Sequence, residues 1–449
     1  MTDKSNYSRR RFLTSAAAVG AVGVIGANAL VSCAEKQKAV ELNLPPLLDQ
    51  APDGKPIKAG VIGCGGRGSG AALDFLNAGP NLVIHALGDV FQDRIDDCRK
   101  KLKDQANHEV PDENIFLGFD AFEKVIDSGV DLVILATPPH FRPQHFEAAV
   151  QARKHVFMEK PVAVDPVGIR SVMATAKKAE SLDLKIVTGT QRRHQRDYIE
   201  VYKQVANGAI GEIVSANCYW NQSKLWHRNP NADWSEMEYM IRDWVNWLWL
   251  SGDHIVEQHI HNIDVINWFS GKHPTKAVAF GSRQRRVTGD QFDNFSVDFT
   301  YDDKMHTHSM CRQINGCVNN VSEFVMGTKG SSNCKNTIWD ATGAELYKYP
   351  YPLDENGQPE RNVKISPYVQ EHIDLVTCIR QNISVNEAEQ TAITNLCAIM
   401  GRTSAYTGKE VTYEELMNSD VKLGPDKYIM GDVGIVPNAK VPVPGEAAE

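Results

Sequence analysis

Glu257 and His261 stand four residues apart, and Lys160 sits in Glu159-Lys160-Pro161 directly after the apolar run His155–Met158. On one helix a spacing of four puts a carboxylate and an imidazole on the same face. The carboxylate then orients the ring and supports its protonated form, as a general base requires. An ammonium leaving the carboxyl end of a strand can hold the oxygen of a developing alkoxide. Base and oxygen holder are two of the three parts that oxidise a secondary alcohol; the third is a hydride acceptor. Lys160, His261 and Glu257 are the candidate catalytic residues.

The acceptor's site is readable earlier in the chain. Lys58–Ile62 is an apolar strand feeding Gly63-x-Gly65-x-x-Gly68, after which Ala71, Ala72, Leu73, Phe75 and Leu76 repeat at helical spacing. In such a loop the first glycine permits the turn, the second lets backbone approach a pyrophosphate, and the third packs helix on strand. The first helical amides then face the phosphates. A second strand, Leu82–Leu87, runs into Asp89, where an acid should accept from ribose hydroxyls and repel a 2′-phosphate. Gly63, Gly65, Gly66, Arg67, Gly68 and Asp89 are the expected contacts, and NAD is the expected cofactor.

The elements that must position these groups alternate regularly at first. Helices are predicted over 91–106, 121–126, 143–153 and 165–181, and strands over 130–136, 155–158 and 185–188. The strand 130–136 ends in Thr137-Pro138-Pro139-His140, at the edge where doubly wound folds place ligands, so Thr137, Pro138 and His140 join the cofactor candidates. From about residue 210 strands follow one another (213–220, 276–284, 295–301, 305–312, 322–326), interrupted by helices near 242–250 and 257–269. Closing helices are expected near 367–381 and 388–407. The fold class is an N-terminal Rossmann α/β domain (57–190), then an α+β domain (191–432) with an open, mostly antiparallel sheet and a tail (433–449). A one-layer sheet leaves an apolar face, so a homodimer or homotetramer is expected.

Residues 1–32 read as an address. Ser8-Arg9-Arg10-Arg11-Phe12-Leu13 precedes a mild Ala/Gly/Val-rich stretch ending in Leu30-Val31-Ser32-Cys33, which fits a twin-arginine signal with a lipoprotein cleavage site. Export to the periplasm, a lipid anchor on Cys33 and a polar tether over 33–56 are expected. Losing four basic residues and one acid takes the net charge from −8 to −11. An acidic chain with no basic run is a poor nucleic-acid binder, and its only expected membrane contact is the anchor. The eight remaining cysteines lack regular spacing and read as buried free thiols. His254, His259 and His261 lack a cysteine or carboxylate cluster at ligand spacing, so no metal is expected.

The glycine loop, the Thr137-Pro138 edge, Glu159-Lys160-Pro161 and Glu257–Asp264 together resemble the Gfo/Idh/MocA family. The resemblance spans nearly all of the chain after residue 32. It implies a Rossmann domain, an open sheet domain and hydride transfer at a sugar or polyol carbon. It aligns Lys160 with the family's lysine, Glu257 and His261 with its Asp-x-x-x-His pair, and Asp264 with a further aspartate. It places Glu159 beside the cofactor, and Arg142, Gln191 and Arg193 near the substrate. A cis Lys160–Pro161 bond is also expected. Glu257 departs from the family's aspartate, and Arg142 from its histidine.

Seven of the eight tryptophans lie between Trp220 and Trp268. Indole packs on the C–H face of a sugar, and Trp226 and Trp234, in the long polar segment 221–240, are the candidates for a carbohydrate wall. The chain resembles the glycoside 3-dehydrogenases of that family, and the resemblance implies oxidation of a sugar or glycoside at C3 with a tightly held NAD. The first alternative is a redox-neutral glycoside hydrolase or epimerase, with Tyr198, Tyr239 or His194 as an extra acid. The second is a lipid-anchored sugar-binding protein that has kept the cofactor fold.

Overall fold

A computed structural model describes residues 42–446 apart from 43, 303 and 361. The first domain comprises β1 (Ile57–Ile62), α1 (Gly66–Leu76), β2 (Leu82–Asp89), α2 (Gln92–Ala106), β3 (Ile115–Leu117), α3 (Ala121–Asp127), β4 (Leu132–Leu135), α4 (Arg142–Gln151), β5 (His155–Met158), α5 (Pro166–Ser181) and β6 (Ile186–Thr188). Its strands are parallel in the order β3-β2-β1-β4-β5-β6. Strands buried on both faces read as continuous apolar runs, which is why β1 and β4 stand out in the sequence. The order reverses between β1 and β4, so the loops that follow them border one crevice.

The chain continues through α6 (Arg196–Ala206), β7 (Ile213–Gln222), α7 (Glu236–Arg242), α8 (Leu248–Ser251), α9 (His254–Glu257) and α10 (Ile260–Ser270). Next come β8 (Lys276–Ser282), β9 (Asn294–Thr300), β10 (His306–Gln313), β11 (Asn320–Gly327), β12 (Gly330–Ser332), β13 (Thr337–Asp340) and β14 (Glu345–Lys348). The last elements are α11 (Pro367–Gln381), α12 (Ala388–Thr407), β15 (Val411–Thr412) and α13 (Tyr413–Met417). The second sheet has nine strands, β14-β13-β12-β11-β7-β10-β9-β8-β15. All its pairings are antiparallel except β7 with β10. On β8, Ala277 and Ala279 point into the core, whereas Val278 and Phe280 are exposed.

Three expectations change. The helices near 242–250 and 257–269 come in pieces, because Gly252 and Asp253 both take positive φ and a wide turn follows Glu257. Residues 44–56, expected as a tether, are docked: Leu47 N donates to Asp374 (2.9 Å), Ala51 N to the Ala78 carbonyl (2.8 Å), and Arg380 to the Pro52 carbonyl (2.6 Å). The closing helices do not belong to the second domain alone. α11 packs on α1 and adds Ile373, Leu375 and Val376 to the first domain's core, and α12 lies against both α5 and β8.

Among the described residues all eight cysteines are free and only Cys317 is exposed. No helix there is long and apolar enough to cross a membrane. The signal and Cys33 lie outside the described residues.

Candidate active site and cofactor cleft

The glycine loop has the shape its sequence demands. Gly63 turns at φ +95°, and a Cβ there would lie 2.6 Å from Thr137 N, so the two loops can approach only without a side chain. A Cβ on Gly68 would collide with the Gly63 carbonyl. Gly65 and Gly66 face open space at the start of α1, where helix amides favour an anion. They border a cleft of about 300 Å³ with Gly63, Asp89, Thr137 and Pro138. Asp89 accepts from Cys64 N (2.6 Å) and Phe91 N (3.0 Å), so it fastens the loop as well as lining the cleft. Burial pushes its carboxyl up, against the pull of these amides. Loop, open helix end and acid at the end of β2 fit a dinucleotide.

Three of the expected cofactor residues are used otherwise. Arg67 turns away, donating to Glu159 and Asp74 with its guanidinium 4.9 Å from the Tyr368 ring centre. Glu159 is buried as its partner. His140 packs edge-on to Trp249 (4.9 Å) and bonds Tyr428 OH (2.7 Å), and burial holds it neutral, with a pKa of about 4.

Lys160 stands at the carboxyl end of β5, and its peptide bond to Pro161 is cis. Its ammonium donates to the Glu257 carbonyl (2.6 Å) and, at 3.3 Å, to the Glu257 carboxylate. The expected Glu257–His261 dyad is therefore absent. His259 N reaches back five residues to the His254 carbonyl (3.1 Å), and α10 begins only at Ile260. That wide turn swings the two side chains off a common face. Glu257 instead bonds Lys160 and the Gln258 amide (2.6 Å). His261 lies against Trp220, ring centres 5.7 Å apart and planes at 24°. Burial first, then the charges of Lys160 and Arg192, hold its pKa well below the ordinary histidine value. It is a neutral imidazole.

The expected substrate residues divide. Gln191 is buried, its amide 3.5 Å from Tyr368 OH. Arg193 is consumed by a two-point ion pair with Asp264 (2.8 and 2.9 Å), which also accepts from Thr394. Arg142 is buried and donates to the carbonyls of Thr137 (2.8 Å), Glu159 (3.0 Å) and Pro161 (2.5 Å); burial lowers its pKa to about 10. Trp226 lines the cofactor cleft, and Trp234 packs beneath Arg242 in a satellite apolar cluster. Trp220 is the indole beside the imidazole. Arg192, overlooked in the sequence between Gln191 and Arg193, sits 5.6 Å from the Trp220 ring and 2.8 Å from Glu323. Which of two adjacent arginines faces the imidazole depends on partners 71 and 131 residues away, Asp264 for Arg193 and Glu323 for Arg192, and no local signal reports it. The three histidines do not converge: His254 pairs with Asp253 (2.9 Å) and His259 with Ser309 (2.6 Å).

Residues 57–184 match the family model for the oxidoreductase family with an NAD-binding Rossmann fold, and residues 198–333 match the Gfo/Idh/MocA C-terminal domain. The chain belongs to the Gfo/Idh/MocA family. Its first domain is that family's NAD-binding domain. It is 26% identical over 226 residues to a myo-inositol 2-dehydrogenase of Thermotoga maritima, covering 50% of this chain and 58% of the relative. It is 25% identical over 257 residues to a glycosyl hydrolase family 109 protein of Streptomyces coelicolor, covering 53% of each. The chain thus spans little more than half the length of the curated relatives it matches. Among solved structures, scyllo-inositol dehydrogenase from Lactobacillus casei with bound NAD(H) and scyllo-inositol superposes with a TM-score of 0.58 at 20% identity, over 80% of this chain and 99% of that one. GenD2 from gentamicin A biosynthesis, in complex with NAD, gives 0.60 at 17% identity, over 81% and 98%. At such identities the likeness is one of fold.

Proposed function

We propose that this protein is an NAD-dependent dehydrogenase that oxidises a ring secondary hydroxyl of a sugar or glycoside, at C3, to the ketone. The observation that carries the reading is the buried, neutral His261 imidazole, near enough to the Lys160 ammonium at the end of β5 to feel its charge. A nicotinamide dinucleotide, when bound, supplies the hydride acceptor. Lys160 commits two of its three donors to Glu257 and keeps one for the substrate oxygen. His261 takes the hydroxyl proton as hydride leaves the carbon, which balances alcohol against ketone. Trp220 offers its face to sugar C–H groups, and Arg192 donates to neighbouring hydroxyls. The inositol dehydrogenases among the relatives support a polyhydroxylated ring as the substrate class.

The redox-neutral alternative loses its proposed acids. Tyr198 donates to buried Glu323 (2.9 Å), burial pushes the Tyr239 phenol up to about 12, and His194 is locked between Asp374 (2.8 Å) and Glu387 (3.0 Å). Tyr198 and His194 are thus engaged elsewhere, and the Tyr239 phenol is a weak acid, which favours net oxidation. Twin-arginine export, a lipid anchor on Cys33, a periplasmic location and a homo-oligomer paired through the open sheet belong to the same proposal.

Native mass spectrometry of the protein as purified, followed by a panel of glycosides and product analysis, tests it. NAD in the spectrum and keto-sugar formation are expected. Released aglycone without keto-sugar would favour the hydrolase, and sugar binding without cofactor reduction would favour a binding protein.

A further inference from the structure

The cofactor cleft has a wall that its first-domain loops do not supply. Between β7 and α8 the chain leaves the second sheet, and Trp226, Arg228, Ile241, Arg242 and Trp244 line the same cleft as Gly65 and Gly66. This wall is fastened on both sides. The Arg242 guanidinium bridges both carboxylate oxygens of Asp93 on α2 (3.1 Å each) and lies 3.9 Å from the Phe91 ring centre, just past the end of β2. Behind it, Met237, Met240 and Ile241 of α7 pack with Phe91, Phe141 and Trp249.

The C-terminal chain then runs over the back of α7. The Glu236 carboxylate accepts from the amides of Val433, Gly434 and Val436 at 2.5–2.7 Å, and Met237 N donates to the Gly431 carbonyl (3.1 Å). The same chain is tied to the first domain where Leu423 N meets Asp165 (2.8 Å) and Tyr428 OH meets His140 (2.7 Å). Residues 423–436, which include only the start of the expected tail, therefore form a strap.

We infer that the 226–244 wall, buckled by Arg242 and Asp93 and backed by the C-terminal strap, grips the adenosine-diphosphate half of the cofactor and makes its exchange slow. The chemistry suits that half. The wall stands beside Asp89 and Phe91, at the strand end where the adenosine ribose belongs in this fold. It presents the indoles of Trp226 and Trp244 to a purine. The Arg228 guanidinium, 5.7 Å from the Trp226 ring centre, has no carboxylate partner among the described residues, and a diphosphate would supply the missing anion. Leaving the cleft requires the buckle to open, so the cofactor stays bound after hydride transfer.

The inference rests on the dinucleotide reading above. The experiment loads the full chain with NAD, removes free nucleotide, and follows release by filtration and native mass spectrometry. Wild-type protein is expected to keep its NAD through prolonged dialysis. Asp93→Asn, at a half-exposed position that leaves the core intact, should release it about three- to tenfold faster, and Arg242→Ala at least about tenfold faster. Exchanging the pair, Asp93→Arg with Arg242→Asp, should restore slow release. Salt should speed release from the wild type more than from Asp93→Asn. Rapid exchange in the wild type, or equal release from all variants, would overturn the inference while leaving the dehydrogenase intact. Slow, buckle-dependent release without sugar oxidation would sink the dehydrogenase and leave the inference standing.

Discussion

Replacing Glu257 by glutamine separates two partners that this carboxylate could serve. In the structure it holds the Lys160 ammonium at 3.3 Å, both side chains being about nine-tenths buried. At that distance and an effective dielectric of about 20 the attraction is about 5 kcal/mol. Desolvation of the two charges offsets most of it. The ammonium also keeps the Glu257 carbonyl at 2.6 Å. What the variant loses is then about 1.5–3 kcal/mol, the worth of a hydrogen bond to a charged group. Hydride transfer should slow roughly 10- to 100-fold, because the lysine is less well held against the substrate oxygen. The acid limb of the pH profile should stay within about half a unit of wild type, since burial, then the charges of Lys160, Arg192 and His259, are what lower the His261 pKa. Single-turnover reduction of bound cofactor, followed by absorbance across pH after rapid mixing, measures both quantities. A variant that keeps the wild-type plateau rate but moves its acid limb by about one unit or more would refute the reasoning. It would return Glu257 to the imidazole.

Three further outcomes are expected. His261→Ala should lower turnover by roughly two to four orders of magnitude while folding and NAD content stay near wild type; near-normal sugar oxidation by that variant would remove the base assignment. The fold should be acid-labile. Burial holds His140 at about 4 and His145 and His259 at about 3, so below about 6.5 the unfolded chain binds more protons and stability falls with pH. His194 works the other way, its pKa raised by Glu387 and Asp374 against its burial, with stability present below about 6.5 and lost as pH climbs through the raised value. Calorimetry should show a lower midpoint at about pH 5 than at about pH 7, and a higher one would contradict the balance. Light scattering should find at least a dimer that Phe280→Glu weakens, because Phe280 is 72% exposed on the open sheet face; a wild-type monomer would count against it.

The first domain was legible because its signals are local. An apolar strand, three glycines and an acid at fixed spacing dictate a loop whose geometry has few solutions, and the structure adopts it. Glu159-Lys160-Pro161 could be placed at a strand end for the same reason. The second half was read correctly as a sheet with helices, yet its side-chain partners were not. The i,i+4 relation of Glu257 and His261 assumed an unbroken helix, and one wide turn at His259 cancels it. Arg142 was placed near the substrate by the resemblance, which carries positions and not side-chain partners. Its carbonyl acceptors come from both its own loop and the next strand end, a fact of tertiary packing. Helix α11 returns to the first domain across some 180 residues, beyond the reach of any periodicity.

Arg142 has a consequence that extends past its own bonds. One planar fork joins the carbonyl of Thr137, after β4, to those of Glu159 and Pro161, after β5. Thr137 borders the cleft and, on the proposed mechanism, Lys160 faces the alcohol, so this single side chain would set the gauge between the two halves of the reaction. A lysine in its place would meet one carbonyl at a time and leave the halves free to drift. Hydride transfer punishes such drift severely, since small misplacements of reacting atoms cost large factors in rate. On that mechanism the alignment of the reaction is entrusted to a buried side chain whose hydrogen bonds go to backbone carbonyls.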